Sequence, residues 1–229
     1  MAYATVLTAG RFFYGRAAPT QREEAMAKKA ETTVQIEPIR RGRAVLVLEG
    51  DSIIITHNFS ERSKQAIRGK QQGTKVRQGK KELVNPELLF KEALYVFGNN
   101  TIGFPATWIK QSTVKGCRMC DIPMTRARQA LFFKGTEDPE HIEILKSAPQ
   151  MREDPVPTGG MGSGWTLAYR AEFPLPWEAE VEVEWLENVM TLEQVITLVN
   201  YGGFSAGIGA WRPERGGNKG RYHVKSAAA

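Results

Sequence analysis

Between Glu178 and Trp185 the chain alternates without a break, with Glu178, Glu180, Glu182 and Glu184 at one set of positions and Ala179, Val181, Val183 and Trp185 at the other. A period of two belongs to extended backbone, whose successive side chains point to opposite faces. The segment therefore reads as a half-buried strand with an acidic outer surface, and a chain carrying it needs further elements to cover the apolar face. The residues immediately after it supply one: Thr191-Leu-Glu-Gln194 has the form of a capping box, opening a helix through Val195, Ile196 and Val199 that Gly202-Gly203 would close.

Other segments extend the same alternation of strands and helices. Thr32–Ile36 and Arg43–Leu48 have strand spacing, Gly50-Asp51 makes a turn, and Ser52–Thr56 continues as a strand. Ser60 can cap a short helix to about Ile67. Asn85-Pro86 is a helix start, with Asn as cap and Pro at the first helical position, and the apolar spacing carries that helix to about Phe97. A further helix begins near Pro105, with Ile109, Thr113 or Val114, and Cys117 on one side. Gln129–Phe133, His141–Leu145, Trp165–Phe173, Ala206–Trp211 and Arg221–Val224 read as strands, and the Pro-, Gly- and Met-rich stretch Pro149–Gly164 as a long loop. The order strand, helix, strand, strand, helix, strand predicts an α+β chain with a split βαβ, ferredoxin-like core and inserted loops. Residues 1–28 read as a poorly ordered extension, 29–225 as one domain with a basic insertion at about 62–81, and 226–229 as a frayed tail.

Charge narrows the function. The chain of 229 residues has a formal net charge of +6, which favours polyanionic partners. The cations are segregated: Arg62, Lys64, Arg68, Lys70, Lys75, Arg77, Lys80 and Lys81 follow one another with no acid between them. From Gly69 to Lys81 almost nothing is apolar, so the stretch reads as an exposed loop. A second group, Arg212, Arg215, Lys219, Arg221 and Lys225, is set among glycines and the aromatics Trp211 and Tyr222. Glycine lets backbone come close to a phosphate, and interleaved cations and aromatics neutralise phosphates and stack bases, the latter worth about 1–3 kcal/mol per base. The competing reading places the glycines in turns and the aromatics in the core. No stretch approaches the ~18 consecutive apolar residues of a membrane-spanning helix.

Motifs for chemistry are weak. Cys117 and Cys120, the two cysteines of the chain, have half the ligands of a structural zinc site, and on a helix both would simply pack. Their small number points to a reducing, cytoplasmic compartment. No G-x-S-x-G elbow is present, Gly159–Gly164 precedes a strand rather than opening a helix, and Asp51 and Asp121 lack partners for two-metal work. His57 at a strand end is the one candidate general base. No cofactor or catalytic constellation is expected.

Two segments resemble the RAMP superfamily, in particular the repeated backbone subunits of CRISPR effector complexes and related bacteriophage proteins. One is Gly103-Phe-Pro-Ala-Thr-Trp-Ile109-Lys110 running on to Lys115 and Arg118; the other is the glycine-rich end Gly202–Tyr222 after a helix. The resemblance covers about Ala44 to Val224. It implies an RRM-like core with insertions and single-stranded RNA or DNA along one face, with Lys110, Lys115 and Arg118 on its backbone. It also implies side-by-side multimers, with the 62–81 loop as a finger touching nucleic acid or a neighbour. The expectation is a non-catalytic single-strand binder. The alternatives are a metal-dependent nuclease using Asp51 or His57, and a structural subunit of a phage or defence complex whose acidic strand docks on a basic neighbour.

Overall fold

The computed structural model describes residues 36–59, 61–73, 85–98, 100–157 and 164–228. The chain divides into two units, Met1–Pro38 and Ile39–Ala229. Of the first, only residues 36–38 are described, without regular secondary structure. All of the expected strand Thr32–Ile36 except Ile36, most of the basic loop and the residues after Pro157 up to Ser163 lie outside the described residues.

In the second unit the alternating segment forms β9 (Glu178–Leu186) and pairs along its whole length with β1 (Arg41–Gly50), from Arg41↔Leu186 to Glu49↔Glu178. The outer neighbours are β10 (Tyr222–Ala228) on β1 and β5 (Leu131–Gly135) on β9, giving an antiparallel sheet in the order β10-β1-β9-β5. Ala44, Leu46, Leu48, Ala179, Val181, Val183 and Trp185 form its buried side. They share one core with Ile109, Val114, Val195, Leu198 and Val199 from two helices, α3 (Thr107–Gly116) and α5 (Leu192–Ser205). Burial of such aliphatic side chains contributes roughly 1.5–3 kcal/mol each.

Two small sheets flank this core. β2 (Ile54–Thr56) joins β8 (Trp165–Phe173) and β7 (Gln150–Pro157) in the order β2-β8-β7. The other contains β3 (Tyr95–Phe97), β4 (Thr101–Pro105) and β6 (His141–Glu143). Helices α1 (Glu61–Gln71), α2 (Pro86–Ala93) and α4 (Met124–Ala130) complete the described elements, with one-turn 3₁₀ segments at Cys117–Met119 and Pro213–Arg215. No described helix is long and apolar enough to cross a membrane.

Several expectations change. Pro149–Gly164 is not simply a loop: Gln150–Pro157 pairs with β8 over eight residues, Gln150↔Glu172 to Pro157↔Trp165. Its prolines are tolerated because β7 is an edge strand, where a missing N–H need not break a ladder. The helix from Pro86 ends at Ala93, because Tyr95–Phe97 is drawn into a hairpin with Thr101–Gly103. The first part of Gln129–Phe133 is the end of α4, and the strand starts only at Leu131. The helix after Ser60 runs on to Gln71 rather than stopping near Ile67.

At the other end of the chain, α5 passes through Gly202-Gly203 and stops at Ser205. A Cβ at Gly202 would sit 2.7 Å from Ser112 carbonyl atoms, so this glycine is the contact point of two helices rather than a terminator. Ala206–Trp211 is not a strand, since left-handed φ angles at Gly207, Gly209 and Trp211 fold it into an irregular loop. Ser226–Ala228, expected to fray, pairs with Val45–Val47. Three of the four glutamates on β9, Glu178, Glu182 and Glu184, are ion-paired. Glu178 binds Lys146 and Lys225, and Glu184 is ringed by Arg41, Arg43 and Lys134.

Candidate nucleic-acid interface

The face of the large sheet turned away from its helices is a poor platform for a polyanion. At its two central strands it presents Arg41, Arg43, Val45, Val47 and Glu49 from β1 and Glu180, Glu182 and Glu184 from β9, with both arginines paired to Glu184 and no aromatic ring among them. The cations expected to bind a strand gather instead on the other side, where α3 meets the glycine-rich loop after α5.

Two hydrogen-bonded approaches hold that loop. Ala210 N–H donates to Ile55 C=O at 2.9 Å, and Gly220 N–H to Ile53 C=O at 2.8 Å, tying both ends of the loop to the residues around β2. Ile208 N–H donates to Gly220 C=O at 2.9 Å and closes the neck. Gly209 has φ 75° and a Cβ there would meet Ile55 O at 2.5 Å, so position 209 is restricted to glycine by both conformation and space. Trp211 adopts φ 55° with a bulky side chain, an uncommon conformation that persists only where surrounding bonds impose it. Here Lys219 N–H donates to the Trp211 carbonyl at 3.0 Å.

Loop and helix together enclose a cavity of about 260 Å³ lined by His57, Trp108, Gln111, Ser112, Lys115, Gly207–Ala210, Arg212 and Glu214. Lys115 Nζ lies 2.5 Å from Glu214 Oε1, and Arg212 Nε donates to Glu214 Oε2 at 3.0 Å. Arg212 also donates to the Gly209 carbonyl at 2.9 Å. Hydrogen bonding from Lys115 and Arg212 holds the Glu214 carboxyl below the ordinary carboxylate range, against the opposing effect of its partial burial.

Gln111 and Lys115 also line a second hollow of about 270 Å³ with Thr107, Lys110, Val114, Met124 and Arg128. Lys110 Nζ sits 4.3 Å from the centre of the Phe132 ring, and its pKa is lowered by burial and by the charge of Arg128. On the opposite side His57 is shared with a third hollow of about 190 Å³ against α2 and β8. The hollows adjoin: His57 lines the first and third, while Gln111 and Lys115 line the first and second, which together make the groove beside α3. Arg170, on β8, lies 5.8 Å from the Trp211 ring. Burial, followed by the charge of Arg170, lowers the His57 pKa and favours its neutral form.

Of the residues expected at the interface, Lys110, Lys115 and Arg212 converge on this groove, with Trp211 at the exposed shoulder next to Arg212. Arg118 is exposed just past the end of α3, Arg215 is exposed on the turn after Pro213, and Lys219 is half-buried in the loop neck. Arg221 points elsewhere, its guanidinium 6.0 Å from the Phe204 ring on α5. Arg62, Lys64, Arg68 and Lys70 lie on α1 rather than in a loop. Lys75, Arg77, Lys80 and Lys81 lie outside the described residues.

Sequence reasoning missed Arg128, Gln111, Phe132 and Arg170. The signal for Arg128 was the short helix Met124–Ala130 after Pro123, which places it four residues after Met124 on the same side. The residues considered for catalysis do not come together. Asp51 is bound to His223, Oδ1 to Nδ1 at 2.8 Å, while His57 faces the groove. Among the described residues, no group of three or more His, Cys, Asp or Glu side chains is placed to hold a metal ion. Cys117 is buried and its thiol pKa is raised by that burial and by Cys120, as expected of a packing role.

Comparison with known proteins places the fold. No protein-family model matches the sequence, and no curated protein matches it. Among solved structures, the chain is similar to one in the cryo-EM structure of the Type III-B Cmr-beta bound to cognate target RNA. The TM-score is 0.51 at 8% sequence identity, covering 90% of this chain and 65% of that chain. The chain thus spans about 65% of the length of that neighbour. The likeness is one of overall fold, extending over 90% of this chain.

Proposed function

We propose that this protein is a non-catalytic, RAMP-like binder of single-stranded nucleic acid that assembles side by side along the strand. Its large sheet is read as a ferredoxin-like, split βαβ core, which the strand order β10-β1-β9-β5 supports. The observation that carries the functional reading is the groove itself. Lys110, Arg128, Lys115 and Arg212 line two adjoining hollows that share Gln111 and Lys115. Glu214 is the one carboxylate lining them.

Such a row of cations suits successive phosphates of a flexible strand, while Trp108, Phe132 and Trp211 offer ring faces to bases. A flexible single strand can follow cations set on both a helix and a loop, whereas a stiff duplex adapts less well. Binding would be led by counterion release, with log affinity falling by about 0.7 per neutralised phosphate for each tenfold rise in salt. The RNA in the similar Cmr-beta structure makes RNA the first ligand to test.

Fluorescence anisotropy of the full chain with labelled single-stranded RNA, single-stranded DNA and duplex, at low and moderate salt, tests the proposal. Salt-sensitive binding that prefers single strands and weakens in Lys115→Gln and Lys110→Gln supports it. Binding to none of the three, or equal binding by the wild type and both variants, removes it. Intact RNA after prolonged incubation, with and without divalent cations, is the expected result for a non-catalytic protein.

A further inference from the structure

Glu214 is an anomaly in a groove otherwise suited to anions. It is the one carboxylate lining the 260 Å³ cavity. Its two oxygens are divided between two cations from different elements: Oε1 meets Lys115 of α3 and Oε2 meets Arg212 of the glycine-rich loop. A bridging carboxylate of this kind presents the same pair of charge-assisted acceptors that two phosphate oxygens present. The surroundings are also built for an exchange. Arg212 keeps a second anchor on the Gly209 carbonyl at 2.9 Å, so its guanidinium stays in place without Glu214. Glu214 itself rides on a single 3₁₀ turn, Pro213–Arg215, and about a quarter of its side chain is exposed to solvent. The turn is held by its backbone, with Glu214 N–H donating to Ala206 C=O at 3.2 Å, so the carboxylate can leave by side-chain rotation alone.

We propose that Glu214 stands in for a phosphate: its carboxylate occupies an anion subsite made by Lys115 and Arg212, and a phosphate group of the incoming strand displaces it. The inference rests on the nucleic-acid reading for the origin of that phosphate, but the subsite is defined by its own geometry. With Glu214 in place the two cations share one negative charge and both carboxylate oxygens occupy them in the free protein, so stray anions are held weakly. A strand that already engages Lys110 and Arg128 delivers its next phosphate at high local concentration and completes the exchange. The device thus favours long single strands over isolated phosphate compounds.

The test uses inorganic pyrophosphate as a probe of the subsite, measured by titration calorimetry on the full chain at low salt. Glu214→Gln keeps the shape of the side chain and removes its charge; Glu214→Ala is carried in parallel in case the amide disturbs the turn. Both variants should bind pyrophosphate roughly two- to fivefold more tightly than the wild type, the effect of removing one competing charge at a partly exposed pair. Adding Lys115→Gln to either should abolish that gain. Equal pyrophosphate affinity in the wild type and in the folded variants, judged by matching circular dichroism, overturns the proposal. Labelled single-stranded RNA measured on the same proteins separates the two readings. A pyrophosphate gain without RNA binding keeps the subsite and removes the nucleic-acid function. RNA binding that is identical in wild type and Glu214→Gln, in affinity and salt slope, removes the subsite and keeps the function.

Discussion

Gly202 lies inside α5, where the ordinary expectation for Gly→Ala is stabilisation, because alanine is the better helix former by about 1 kcal/mol. The packing opposes this. A methyl group at 202 would lie 2.7 Å from the carbonyl carbon and oxygen of Ser112 and from the amide nitrogen of Thr113. These are backbone atoms of α3 and cannot swing aside as a side chain could. The reverse side of the same contact is equally close, since a Cβ on Gly116 would meet Gly202 N at 2.5 Å. Relief therefore requires the two helices to move apart, and overpacking of this kind costs about 1–3 kcal/mol, with the upper half applying where backbone must shift.

Net of propensity, Gly202→Ala should destabilise the protein by about 1–2 kcal/mol, lowering Tm by roughly 3–6 °C for a chain of this length. Urea unfolding followed by circular dichroism would register it as a lower midpoint at an unchanged slope. Gly164→Ala, with no atom within 4 Å of the added Cβ, is the control and should be near neutral. Because α3 carries Lys110 and Lys115, the same substitution should also weaken strand binding. A Gly202→Ala protein as stable as the wild type, or more so, would refute the argument that this glycine sets the approach of α3 and α5.

Other measurements address different parts of the molecule. Asp154 is buried on β7, with Arg152 at 2.9 Å and Arg170 at 2.8 Å, so Asp154→Ala leaves two cations facing each other and should cost about 2–3 kcal/mol in urea unfolding. Burial opposes ionisation of Asp154, but the hydrogen bonds and charges of the two arginines outweigh it and hold its carboxyl low. Its contribution should be present above the ordinary carboxylate range and disappear as pH falls through the lowered folded value, which an acid-unfolding series of wild type against Asp154→Asn will register. His57, with its pKa lowered, should titrate by NMR with a midpoint below 6.5, so stability falls as pH drops below that value; a midpoint above it would contradict the effect of burial and Arg170. Tyr222→Phe removes the bond from the buried Tyr222 hydroxyl to Ser112 Oγ at 3.0 Å and should cost about 1 kcal/mol in thermal unfolding.

What the sequence alone determined are the features written in local physics. The alternation of Glu178–Trp185 produced β9. Thr191 and Gln194 do close a capping box, with Gln194 N–H donating to Thr191 Oγ1 at 3.3 Å, and Asn85 caps the helix that Pro86 opens. Each of these depends on residues within a few positions of one another. The cationic character of α3 and of the glycine-rich loop was legible for the same reason, because charge is carried by residue type.

Tertiary structure decided the rest. Pro155 and Pro157 read as loop residues until β8 supplies an edge to pair with, and Gly202-Gly203 read as a helix stop until α3 is laid against them. Nothing in the local pattern places Glu214 between Lys115 and Arg212, since the pair Lys115–Glu214 joins elements 99 residues apart in the sequence. Nor could it bring Arg128 beside Lys110, or pair Glu178, Glu182 and Glu184 of β9 with cations from other elements. Local sequence chooses backbone conformation, whereas a groove, an ion pair or a close helix crossing exists only once distant segments compete for the same space.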